Sequence, residues 1–285
     1  MKKFGIIGPG AVGTAITYAL LQSGQNVSLY GKTNQEIEFQ EYHHDDKHQI
    51  PVQSLQTAHE KHDILFIAVK TTQLDDIIPY LNNIIHSNSM IILTQNGYGQ
   101  LDKIFHFCKY QAVVYISGQK DKNLVTHFRD WTLKLPRDEH TLELQNLTQD
   151  SLLNIECLED YRVQVWYKLI VNLGINTITA ITKQPAKVLK SDGIEALCYN
   201  LLSEGKKVAQ AEGIHFQDDL EESIMNIYRG YPDDMGTSMY YDTMNRRPLE
   251  LEYIQGYIYR MSQKHKLDTP LLDSTYAILK TFQPE

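Results

Sequence analysis

Along the first half of the chain, short apolar runs alternate with stretches whose apolar residues recur at helical spacing. The runs at 3–7, 26–30, 64–69, 90–94 and 112–116 are rich in Ile, Val and Leu and poor in charge. Strands buried on both faces of a parallel sheet read this way. Helical spacing falls between them over 12–23 and 72–85. Strand–helix–strand repetition implies right-handed crossovers and a doubly wound sheet. Residues 121–147 are more polar and alternate, as in Thr141-Leu142-Glu143-Leu144, which predicts further strands at the sheet edge. From about residue 164 the pattern changes to long helices, over 165–182, 196–212 and 249–265. The expected architecture is α/β: a Rossmann-type doubly wound sheet over residues 1–163, then an all-helical domain over 164–285, the strand signal stopping near Arg162.

Composition narrows the function classes. Hydrophobic residues make up 42% and charged residues 22% of the 285, the proportions of a globular chain. A formal charge of −8 argues against bulk binding of nucleic acid, which needs a basic surface, but leaves room for a small basic pocket. Cys108, Cys157 and Cys198 have neither metal nor redox spacing, so reduced thiols are expected. No apolar run reaches the ~18 residues of a membrane span. The apolar start breaks at Gly8-Pro9-Gly10 before any signal-peptide core forms. A cytoplasmic location is expected.

That break is the first chemical motif. Gly8-Pro9-Gly10-Ala11-Val12-Gly13 fits the G-x-G-x-x-G turn that follows a strand and opens a helix. One glycine permits the tight turn, the next lets backbone amides approach a pyrophosphate, and the third lets helix and strand pack closely. The end of the second strand selects the cofactor. NAD sites place Asp or Glu there for the ribose 2′-hydroxyl. Here Gly31-Lys32-Thr33-Asn34 offers no acid, and Lys32 attracts a 2′-phosphate. A charge-assisted bond of roughly 1.5–3 kcal/mol prefers NADPH over NADH by tens-fold. Lys70 and Gln73, after the strand at 64–69, lie at the carboxyl edge where ligands bind in this fold.

A second motif lies on the helix predicted at 165–182. Lys168, Asn172 and Asn176 recur every four residues and form one slowly turning polar stripe on an otherwise apolar helix. A helix apolar on nearly all sides is buried, and buried polar groups without partners are costly. The stripe therefore reads as the lining of a cleft facing the cofactor, with the wet face of an amphipathic helix as the alternative. Gly236–Asp242 and Arg246–Glu252 read as a loop entering a helix, with Pro248 and Glu250 in its first turn. Residue patterns alone leave Ser238 and Glu250 open between a site and an ordinary helix start. His43-His44-Asp45-Asp46-Lys47-His48 reads as a solvated polar connection rather than a metal cluster. His59-Glu60-Lys61-His62 is one residue short of the zinc-helix spacing. No metal is expected.

Taken together and in order, these segments resemble the ketopantoate reductases. The resemblance runs through Gly8–Gly13, Val69-Lys70 with Gln73, Gln95-Asn96-Gly97-Tyr98-Gly99, the Lys168/Asn172/Asn176 stripe, Thr237-Ser238-Met239-x-x-Asp242, and Arg247-Pro248-Leu249-Glu250-Leu251-Glu252-Tyr253-Ile254-Gln255-Gly256. It implies reduction of ketopantoate (2-dehydropantoate) to pantoate with NADPH, in the route to pantothenate and coenzyme A. Lys168 then resembles the catalytic lysine. Asn172, Asn176, Ser238 and Glu250 resemble substrate-binding residues, and Asn96 the asparagine near nicotinamide and substrate. Two departures stand out. Lys32 replaces an arginine and loses its bidentate fork. Ile116-Ser117-Gly118-Gln119-Lys120 lacks the expected run of small residues. Another small hydroxy-acid dehydrogenase, of the hydroxyisobutyrate type, and an NADPH-binding sensor without turnover are the competing readings. The helical half is compatible with a homodimer.

Overall fold

Carboxyl-edge geometry in the N-terminal half follows from strand order. The structure, a computed structural model, describes residues 2–283 and divides into two units. The first comprises the chain up to Asn96 with Gln100–Tyr161, and the second Gly97–Gly99 with the chain from Arg162 onward. The first unit runs β1 (Lys3–Ile7), α1 (Ala11–Gln22), β2 (Asn26–Gly31), β3 (Gln35–Glu41), β4 (Lys47–Ser54), β5 (His62–Ile67), α2 (Leu74–Ile84), β6 (Ile85–Leu93), β7 (Lys109–Gln111), β8 (Val113–Val114), β9 (Ser117–Asp121), β10 (Leu124–Arg129), β11 (Thr132–Pro136), α3 (Glu139–Thr148) and β12 (Asn154–Leu158).

The main sheet has the order β7-β6-β5-β1-β2-β4-β3-β10-β9, and β12-β11-β8 form a smaller one. From β7 to β4 all neighbours are parallel. The chain leaves β1 outward through β2 and returns to its other side at β5. The carboxyl end of β1 is thus a topological switch point, where open α/β sheets bind ligands. Register aligns Ile7 with Tyr30 and with Ile67, so β1, β2 and β5 end level. The pleat separates the two faces. Phe4, Ile6, Ile64 and Phe66 pack with Ala15, Ile16 and Ala19 of α1. Ile7, Leu65 and Ile67 pack with Leu74, Ile77 and Leu81 of α2.

Three expectations are corrected here. Thr141-Leu142-Glu143-Leu144 lies in α3, not in a strand. Asp138 caps that helix, accepting from the Thr141 N–H at 2.9 Å, while its own N–H donates to the Thr141 hydroxyl at 3.0 Å. This reciprocal cap outweighs an alternation too short to separate the two periods. The strand expected at 112–116 is reduced to Val113–Val114, and the main-sheet strand lies before it at Lys109–Gln111. Ala112 separates β7, in the main sheet, from β8, in the smaller one. The solvated connection read at His43–His48 is the turn of a β-hairpin, β3–β4: residues 42–46 lie outside the strands, with His43 at φ 74°, while Lys47 and His48 open β4. Ile37, Phe39, Ile50 and Val52 bury the hairpin's inner face.

The second unit contains α4 (Tyr161–Thr182, which begins at the last residue of the first unit), α5 (Ile194–Ala211), α6 (Leu220–Arg229), α7 (Ser238–Met244), α8 (Gln255–Lys264) and α9 (Pro270–Lys280), with no strand among its described residues. The helix expected over 249–265 is broken, a further correction. A 3-10 turn at Leu251–Tyr253 precedes Ile254, at φ −111° and ψ −86°, and then α8. Leu249 and Leu251 are both buried in one cluster with Ala180 and Met239. Residues two apart lie about 200° apart around an α-helix, so a non-helical backbone brings both into the one cluster more readily. Pro248 therefore lies outside any helix, and Glu250 precedes the 3-10 turn. No helix among the described residues is long and apolar enough to cross a membrane.

Candidate active site

The glycine turn has different requirements at its three positions. Gly8 lies at φ 110°, and a Cβ there would fall 2.6 Å from the Val69 nitrogen. A Cβ on Gly13 would fall 2.1 Å from the Gly8 carbonyl oxygen. Protein packing alone demands glycine at both. A Cβ on Gly10 would meet no protein atom within 4 Å, so protein packing places no steric limit there. That open approach is what a closely bound ligand needs.

Helix α1 starts immediately after Gly10 with no side-chain cap and no acid in its first turn. Its first backbone bond runs from Thr14 N–H to the Gly10 carbonyl at 3.0 Å. The N–H groups of Ala11, Val12 and Gly13 precede that bond at the positive end of the helix, the arrangement that receives phosphate. The Pro9 ring lies 3.0 Å from where a Cβ on Gly31 would stand, so β2 ends against the turn.

The cations at this edge fit a doubly charged phosphate. Lys32 follows β2 and is exposed, and no acid occurs among residues 31–35. Lys70 precedes the short turn Thr71–Gln73 after β5, with the Gln73 N–H on its carbonyl at 2.9 Å. Beyond β6, the Thr94 N–H bonds the Ile67 carbonyl at 2.9 Å, and Gln95 Nε2 bonds the Val69 carbonyl at 2.8 Å. Asn96 follows, its carbonyl held by Gln100 Nε2 at 3.1 Å. Gln95 Oε1 is buried without a hydrogen-bond partner within the chain. A buried acceptor left over at this edge fits a donor on a bound cofactor.

Lys120 was not among the predicted residues. The β9–β10 hairpin packs on the start of α1, with a Cβ on Gly118 only 3.5 Å from that of Ala11. Lys120 Nζ donates to the Pro9 carbonyl at 2.7 Å, and burial lowers its pKa from the ordinary lysine value. Its charge thus braces the glycine turn. No local pattern signals it, because the contact spans 111 residues of sequence.

In the second unit, α4 carries Lys168, Asn172 and Asn176 on successive turns. Lys168 and Asn172 are half-buried, and Asn176 is buried. Thr179, one turn further, shares a 2.7 Å hydrogen bond with Thr237. The Thr237 hydroxyl also accepts from the Tyr240 N–H at 3.1 Å and caps α7. This fixes Ser238, exposed at the first position of α7, next to α4. Leu249 and Leu251 pack with Ala180 and Met239, so buried Glu250 between them is held at the same end of α4. Gln255, fully buried at the start of α8, donates to the Thr177 hydroxyl at 3.0 Å. The structure therefore gathers Asn176, Ser238 and Glu250 around one end of α4. Thr179, Thr237 and Gln255 hold these segments together; the sequence reading assigned Thr179 no part and named Thr237 and Gln255 only within the resembling segments. Gly97-Tyr98-Gly99 also belong to this unit. The Tyr98 N–H bonds the Tyr253 carbonyl at 2.8 Å, and a Cβ on Gly97 would fall 2.3 Å from that same oxygen.

Cys198 is buried and its thiol is pushed up to about 12, which rules out nucleophilic use near neutrality. Among the described residues, no group of three His, Cys, Asp or Glu side chains is placed to hold a metal.

A phosphate-binding turn without a ribose acid, joined in one chain to a lysine–amide helix, defines a nucleotide-dependent oxidoreductase. The chain belongs to the ketopantoate reductase family: residues 4–136 match the family model for ketopantoate reductase PanE/ApbA, and residues 160–283 match the model of its C-terminal domain. A dimeric ketopantoate reductase from Staphylococcus aureus is 46% identical, with a TM-score of 0.96 over 99% of this chain and 98% of that one. The 2-dehydropantoate 2-reductase of Mycobacterium tuberculosis is 28% identical, covering 96% of this chain and 95% of that protein. A D-mandelate dehydrogenase solved with NADH and anilino(oxo)acetate shares the fold at 21% identity, with a TM-score of 0.87 over 98% of each chain.

Proposed function

We propose that this chain is a cytoplasmic, homodimeric 2-dehydropantoate 2-reductase that reduces ketopantoate to pantoate with NADPH. The observation that carries this reading is the pairing of an open Gly10 at a cation-flanked helix start with a lysine and two amides on successive turns of α4. Gly8–Gly13, Lys32, Lys70 and Gln73 would hold the dinucleotide, whose reduced nicotinamide, when bound, would supply a hydride to the ketone carbon. As the carbonyl bond breaks, negative charge grows on its oxygen. Lys168 stabilises that charge and delivers the proton, a contribution of roughly 10²–10⁴ in rate. Asn172 and Asn176 hold the substrate's polar groups and the lysine in register. Ser238, exposed at the start of α7, receives the substrate carboxylate. Glu250 accepts from the substrate hydroxyl, which selects hydroxylated 2-oxo acids over plain ones. Asn96 serves the nicotinamide and the ketone.

The test follows reduced-nicotinamide absorbance with ketopantoate, a panel of other 2-oxo acids, and 3-hydroxy acids with NADP. Ketopantoate with NADPH is the expected preferred pair. Turnover only with 3-hydroxy acids, or none with any substrate, overturns the proposal. Replacing Lys168 with Met should lower kcat at least about tenfold while NADPH affinity persists.

A further inference from the structure

One buried hydroxyl in the helical unit acts on the stripe from behind. Tyr228, on α6, is 2% exposed. Its hydroxyl donates to the Val171 carbonyl and accepts from the Ile175 N–H at 3.3 Å. These are the two ends of one i to i+4 backbone pair in α4. The chain makes room for it: a Cβ on Gly174 would fall 2.8 Å from that hydroxyl, 2.8 Å from Leu202 and 3.2 Å from Cys198. Burial raises the Tyr228 pKa well above the ordinary tyrosine value, so the group stays a neutral donor.

Position around the helix gives this contact its meaning. At about 100° per residue, Asn172 and Asn176 each lie roughly 160° from Gly174. Tyr228 therefore braces α4 on the face opposite the two amides. A side chain that engages the backbone ladder is one of the few things that bends or turns a helix locally. Here the engaged turn is the one that carries Asn172 and leads into Asn176. Apolar packing of Gly174 against Leu202 and Cys198 limits how closely α4 and α5 approach. It does not fix the roll of the helix. A directional hydrogen bond to both backbone ends does.

We infer that Tyr228 is a positioning residue for the reductase, its hydroxyl fixing the roll of α4 and so the placement of Asn172 and Asn176 toward substrate. The inference rests on the proposed activity for its kinetic readout, and it touches no cofactor residue.

The test uses the full chain with Tyr228→Phe, which keeps the ring beside Gly174 and removes only the hydroxyl. KM for ketopantoate should rise about fivefold or more, and kcat should fall up to about tenfold, since a displacement well below 1 Å already costs rate. The NADPH dissociation constant, read by fluorescence titration, should stay within about twofold. Gly174→Ala should show the same split, and its effect should shrink by about threefold or more in the Tyr228→Phe background, where the hydroxyl it displaces is gone. KM and kcat both within about twofold of the parent in Tyr228→Phe would overturn the inference. Hydrogen exchange over 171–176, measured without ligand, reads the brace independently of turnover. It should speed up about threefold or more in Tyr228→Phe, and unchanged exchange overturns the inference as well. Failure of the proposed activity shows separately, as no ketopantoate turnover by the unsubstituted chain.

Discussion

Gly13→Ala and Gly10→Ala should separate what the fold needs from what the ligand needs. At Gly13 the new methyl would lie 2.1 Å from the Gly8 carbonyl oxygen and 3.1 Å from the Ala68 Cβ, where real Cβ contacts essentially never fall below 3.0 Å. The turn must then yield by about 1 Å, yet it is held by the Gly8 N–H on the Tyr30 carbonyl at 2.9 Å. Overpacking costs about 1–3 kcal/mol. The obstacle here is backbone rather than a mobile side chain, which favours the upper end. Alanine returns up to about 1 kcal/mol through helix propensity. The net loss is about 2 kcal/mol, or roughly 4–8 °C in Tm for a unit of this size. At Gly10 the methyl meets nothing, and φ −94° with ψ −169° suits alanine. Losing a glycine N-cap costs about 0.5 kcal/mol, roughly 1–2 °C. NADPH affinity should nevertheless fall at least about tenfold in Gly10→Ala, because the methyl occupies the backbone approach to phosphate. Thermal unfolding without ligand and fluorescence titration of NADPH measure the two effects. Equal Tm losses in the two variants, or full NADPH affinity in Gly10→Ala, would refute the argument.

Lys32→Ala should reduce the preference for NADPH over NADH by about tens-fold while leaving NADH use largely intact, as read from the ratio of kcat/KM values. An unchanged ratio would remove Lys32 from the 2′-phosphate site. Stability should also depend on His62, buried with its Nε2 2.8 Å from the Tyr30 hydroxyl. Burial lowers its pKa below the ordinary 6.5, and burial does the same to His127. Only the unfolded chain then takes up these protons just below pH 6.5, so their stabilisation is complete above that pH and is lost as pH falls. Urea unfolding should show lower stability at pH 5.5 than at 7.5, with a smaller difference in His62→Gln. The same difference in both proteins would exclude His62 as a source.

How far the sequence was legible depends on the range of the interactions involved. Strands β1 and β2 and helix α1 were readable because each is buried by its own periodic pattern. The glycine turn was readable because its steric demands fall within a few residues. Helix α3 was misread because four alternating residues do not distinguish the two periods, whereas the Asp138–Thr141 cap does. Hairpin β3–β4 was missed because each strand offers only two inward apolar residues, and a polar turn joins them. The site divides along the same line. Lys168, Asn172 and Asn176 announce themselves as a stripe, since one helix carries them all. The side chains that anchor α4 lie elsewhere in the chain: Thr237 reaches Thr179 across 58 residues, Gln255 reaches Thr177 across 78, and Tyr228 reaches Val171 across 57. Lys120 likewise meets Pro9 only because β9 returns to α1. Groups that react with a ligand are constrained by chemistry and leave a residue-type signature. Groups that position them need only a hydroxyl or an amide of the right reach, and many sequence positions offer one. For this reason a substitution such as Tyr228→Phe, conservative by residue type and distant in sequence from the stripe, is the sharper probe of how the helical unit holds its amides.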